Sequence, residues 1–121
     1  MTDTPKLTAE ALRQFTGTET WYRHALVRHM LYTDGVLYLA DAGGAHWLVD
    51  EIATGQLEPH VARTPFQSWR LRVHPNRSAT LTCEDGNGVV VHTRNIEWTD
   101  FPLDEMHLFC TNNLILLPSE Y

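Results

Sequence analysis

No stretch of this 121-residue chain approaches the roughly eighteen consecutive apolar residues that a membrane-crossing helix needs. The opening MTDTPKL has neither the basic nor the apolar region of a signal peptide. These absences predict a soluble, cytoplasmic protein with no membrane partner. Cysteine is scarce too. Cys83 and Cys110 lie inside apolar strand patterns, where a free thiol behaves as a small buried hydrophobe, so both are expected to be reduced and structural. The common chemical signatures are also missing. There is no His-x-x-x-His, His-Glu-x-x-His or Cys-x-x-Cys spacing, no Gly-x-Gly-x-x-Gly or Walker-type loop, and no Gly-x-Ser-x-Gly. No cofactor and no metal are expected.

Basic residues are sparse where the acids gather. Residues 81–121 hold Arg94 as their one arginine or lysine, against Glu84, Asp85, Glu97, Asp100, Asp104, Glu105 and Glu120, so the net charge of −6 is concentrated in the last third. Phosphate neutralisation needs a basic surface, which makes nucleic acid an unlikely partner and favours a basic protein surface. A hydrophobic content of 43% with 20% charged residues is ordinary for a folded globule of one domain. Residues 1–7 are expected to be a flexible tail, and 8–121 a single α+β domain.

The most regular stretch runs from Phe66 to Trp98. Trp69, Leu71 and Val73 alternate with Ser68, Arg70, Arg72 and His74, and Ala79, Leu81 and Cys83 alternate with Ser78, Thr80 and Thr82. That period of two marks half-buried strands. Asp85-Gly86-Asn87-Gly88 supplies residues that accept positive φ, so the second and third strands are predicted to form a hairpin. Asn112-Asn113 predicts a closing hairpin between Met106–Cys110 and Leu114–Leu117. Trp21–His24 and Arg28–Tyr32 favour extended structure. Thr8 is a helix cap for Ala9–Phe15, with Gly17 as its stop, and Tyr32-Thr33-Asp34-Gly35 is a turn or cap leading into a short helix. Ala45–Ala53 is predicted as a helix ended by Gly55, with Trp47, Leu48 and Ile52 inward and His46, Asp50 and Glu51 towards water. Leu57–Pro65 reads as a loop interrupted by Pro59 and Pro65. The expected fold is an antiparallel sheet of about five strands with two or three helices packed on one face.

The candidate sites follow from this arrangement. Seven histidines raise the question of metal, but His24 and His29 are five apart and the others stand alone. Trp21, His24, Tyr32, Asp34, Asp50 and Glu51 form a possible binding face, and would serve a small hydrolase if the helices bring them together. Arg70, Arg72 and His74 share the outward face of one strand and form a possible single-stranded nucleic-acid face, which Glu84 and Glu97 are placed to neutralise.

Phe15-Thr16-Gly17-Thr18, Trp21-Tyr22-Arg23-His24, Tyr32-Thr33-Asp34-Gly35, Trp47 to Ala53, Asp85 to Gly88, Thr99 to Leu103 and Leu116 to Tyr121, in this order, resemble a family of small uncharacterised bacterial proteins. This is a domain of unknown function met on phages, plasmids and chromosomal islands. The resemblance implies a cytoplasmic, mobile-element setting and carries over no activity, cofactor or catalytic residue. The reading that results is a non-enzymatic binding or accessory protein acting through protein contact, with a homodimer possible.

Overall fold

A computed structural model describes residues 7–16 and 20–121. Its frame is a seven-stranded mixed sheet in the order β1-β2-β7-β6-β3-β4-β5. The strands are β1 (Trp21–Arg23), β2 (Leu31–Thr33), β3 (Phe66–Val73), β4 (Ala79–Glu84), β5 (Val90–Ile96), β6 (Glu105–Thr111) and β7 (Leu114–Leu116). The expected antiparallel sheet of about five strands is therefore corrected. The two early extended pieces join the sheet as β1 and β2, and β2 runs parallel to β7, with Leu31 opposite Leu114 and Tyr32 opposite Ile115. Parallel partners need a long crossover and leave no turn signature between them, so the local pattern did not announce this pairing.

The central meander forms as its alternation dictates. Trp69, Leu71, Leu81, Cys83, Leu108 and Ile115 are fully buried on one face, with Trp69 registered against Cys83 and Leu108. At the β4–β5 turn Asp85 accepts from the amides of Asn87 (2.8 Å) and Val89 (2.9 Å), and Gly88 takes φ +80°. Asn112 and Asn113 adopt φ +51° and +62° between β6 and β7, the backbone sign that tight hairpin turns require.

Four α-helices, not the expected two or three, are present among the described residues: α1 (Ala9–Arg13), α2 (Asp34–Ala42), α3 (His46–Gly55) and α4 (Pro59–Ala62). Thr8 and Thr33 cap α1 and α2 by accepting from Ala11 N and Val36 N. The stretch read as a loop contains α4, because a proline at the first helical position lacks only an N–H that would have had no partner there. Gly55 is the last residue of α3 and not a stop beyond it. A Cβ there would lie 2.9 Å from Trp69 Cη2, so glycine lets the helix close onto the buried indole. Leu39, Leu48, Ile52 and Val61 bring the helices onto the sheet. Each such burial is worth roughly 1.5–3 kcal/mol before chain entropy is counted.

Buried Gln67 links helix to strand. Its amide donates to Val61 O (2.9 Å) and Gln56 Oε1 (2.8 Å), and its oxygen accepts from Trp69 Nε1 (2.9 Å). The expected stop at Gly17 and residues 1–6 of the expected tail lie outside the described residues, while Leu7 is buried and packs near Gly43.

Candidate functional site

The β5 edge of the sheet carries the groove that gathers exposed aromatic and charged groups. In β5, Ile96, Arg94 and His92 are registered against Ala79, Leu81 and Cys83 and so face the helices. Being at the sheet edge, Arg94 reaches across to α3, where its Nε lies 3.2 Å from Glu51 Oε2. Beyond that ion pair opens a groove of about 520 Å³ lined by Trp47, Glu51, Arg94, Glu97, Trp98 and Asp100 among others. Trp98 is 65% exposed, so much of its indole is open to solvent at the end of the groove. A second groove of about 290 Å³ shares Glu51 and Arg94 and adds Glu58 and His92. At this rim His92 Nδ1 and His60 Nε2 are 3.4 Å apart.

The carboxylates dominate this surface. Glu51, Glu58, Glu97 and Asp100 face one arginine, already paired. The arrangement attracts cations, and an indole face beside carboxylates suits a lysine or arginine side chain.

The predicted binding face divides in two. His24, Tyr32 and Asp50 come together beside β1 and β2. His24 is buried, and its Nδ1 accepts from the amides of Leu26 (3.1 Å) and Val27 (3.0 Å). The proton therefore sits on Nε2, which donates to Asp50 Oδ1 at 2.7 Å. Both ring nitrogens are committed to holding the loop between β1 and β2. Tyr32 stacks on Tyr22, with centroids 5.7 Å apart. Its hydroxyl is pushed above the ordinary phenol range by burial and then by Asp41, Tyr22 and Asp50.

The other members lie elsewhere. Trp21 is 59% exposed on the edge strand β1, and Asp34 begins α2, its carboxylate accepting from Gly35 N. Glu51 follows Asp50 in sequence yet serves the β5 side of α3.

On the sheet face away from the helices, Arg70 and Arg72 both approach Glu105 Oε1, at 3.4 and 4.0 Å, and His74 pairs with Thr80 Oγ1 at 3.0 Å. The neutralising partner is Glu105 on β6, not Glu84 or Glu97, because β6 is the other neighbour of β3. Arg77 donates to the carbonyls of Thr99 and Phe101 and clamps the chain after β5.

Sequence reasoning missed two arrangements. One is Ser68 Oγ at 2.6 Å from His107 Nε2, a contact between adjacent strands on an open face. Burial, then Arg70, lowers the basicity of His107, and Ser68 borders neither of the two grooves. The other is the Trp47–Trp98 groove, whose only linear signal was a tryptophan set among acids just past a strand. Cys83 and Cys110 are buried, and burial pushes both thiols up to about 12, which removes them as nucleophiles at neutral pH. Among the described residues no three His, Cys, Asp or Glu side chains converge as metal ligands, and no helix is long and apolar enough to cross a membrane.

Fold and groove thus define an α+β domain with a mixed sheet and an acidic, tryptophan-bearing edge. The chain belongs to a family of unknown function, DUF6876, whose model matches residues 6–121. No curated protein and no solved structure matches it.

Proposed function

We propose that this is a non-enzymatic binding protein that recognises another protein through the groove between α3 and β5, and that its partner presents a basic segment there. The observation that supports it is the exposed Trp98 set among Glu51, Glu97 and Asp100, with Arg94 already neutralised. A cytoplasmic accessory protein, in the bacterial mobile-element setting that the sequence resemblance implies, accords with this reading.

A short peptide alternating lysine and threonine tests it, titrated while Trp98 fluorescence is followed, with Trp98→Phe identifying the signal. Saturable quenching that weakens with salt and is absent with the glutamate-for-lysine peptide is expected. Equal response to both peptides, or none, would remove the proposal.

A further inference from the structure

The strand that walls the groove is also the last in the sheet: β5 pairs with β4 on one side only. Over its seven residues, about 23 Å of chain, alternate positions turn backbone N–H and C=O groups away from β4. Such a row is a template for another strand, and proteins commonly guard it with a charge pointing inward. Arg94 is placed as that guard, yet Glu51 holds it. Both ends of the edge carry apolar surface, with Val89 56% and Val90 51% exposed before the strand and at its start, and Trp98 65% exposed beyond it.

The two grooves run along the same strand, one past Arg94 to Trp98 and Asp100, the other to His92 and Glu58. A segment added at this edge would direct every second side chain to the groove side. Those side chains meet four carboxylates and one paired arginine. A second copy of the chain would bring the same acidic excess against itself, whereas a basic segment complements it.

We infer that the β5 edge takes an extended, lysine- or arginine-bearing segment of a partner protein as an eighth strand, its alternate cationic side chains entering the grooves beside Trp98 and Glu58. This rests on the binding reading above and adds the conformation of the ligand and its backbone pairing.

The lysine–threonine peptide is compared with two versions N-methylated on alternate residues, one in each phase. Methylation of the amides that face β5 removes hydrogen bonds and blocks approach, while methylation of the opposite set leaves pairing intact. Affinity is expected to fall about tenfold or more in one phase only. Amide hydrogen exchange is expected to slow at alternate residues of Val90–Ile96 on binding.

Equal affinity for both methylated forms, with the lysine peptide still binding, would overturn the added strand and leave the acidic groove standing. Failure of the lysine peptide to bind at all would overturn the groove reading itself. Protection of the same β5 amides in a peptide-free dimer would assign the edge to a second copy and overturn the inference.

Discussion

Asp50 and Glu51 are neighbours on α3 and spend their charges on opposite sides of the fold. Asp50 accepts a hydrogen bond from the Nε2–H of a buried histidine whose other nitrogen is occupied by two amides. Glu51 meets Arg94 at a rim where Trp98 and two further carboxylates stand open. The first arrangement is closed: each polar atom of the imidazole has a partner, and its work is to fix a loop. The second has charge and aromatic surface to spare. Polar side chains near β1 and β2 therefore serve stability, and those near β5 are the ones the proposed recognition would use.

Removing the closed hub should give the largest effect. His24→Ala leaves the Leu26 and Val27 amides without their acceptor and Asp50 without its donor, and should cost about 2–4 kcal/mol in chemical denaturation. Peptide binding at the β5 edge should survive in the folded fraction. A loss below about 0.5 kcal/mol would break the contrast between the two sides.

A second, smaller effect belongs to the same side. Glu120 Oε1 accepts from Thr33 Oγ1 (2.6 Å) and Leu117 N (2.9 Å), while its Oε2 is buried without a hydrogen-bond partner among the described residues. Burial raises its pKa above the ordinary 4.5, the Thr33 and Leu117 hydrogen bonds pull it partly back, and Asp34 adds to the rise. The folded state then holds this proton more tightly than the unfolded chain. The favourable contribution is complete below 4.5 and is lost as pH rises through the higher folded value. Glu120→Gln cannot titrate, so its stability relative to the parent should improve as pH climbs through that window. Parallel denaturation curves from pH 4 to 8 measure this, and a constant difference would refute it.

The smallest stability change should come from the open side. Arg94→Ala breaks an ion pair whose side chains are 58% and 28% exposed, and should cost no more than about 0.5 kcal/mol. The same change frees Glu51 and should tighten lysine-peptide binding. Tightening without destabilisation sharpens the comparison, and weakened binding would make Arg94 part of the recognition surface.

Much of the frame was legible because it is local. Period-two alternation marked β3 and β4, the Asp85–Gly88 and Asn112-Asn113 turns announced their hairpins, and Thr8 and Thr33 capped the helices that follow them. What escaped depends on distant partners. The β2–β7 pairing joins segments from opposite ends of the described chain, and α4 begins on a proline that read as a breaker. The divergence of Asp50 and Glu51 was set by which elements flank α3, information that two adjacent letters do not hold. The Trp98 groove escaped as well, since nothing in the linear order placed α3 opposite that residue.

The parallel seam between β2 and β7 has a consequence for biosynthesis. Leu31 is made early and Leu114 late, and the amide of Leu31 finds the carbonyl of Asn113. Until the ribosome has released the later segment, β1 and β2 exist at most as a two-stranded hairpin of three-residue strands, too little to persist in water. A stop codon ahead of Leu114 would leave the first strands with nothing to join.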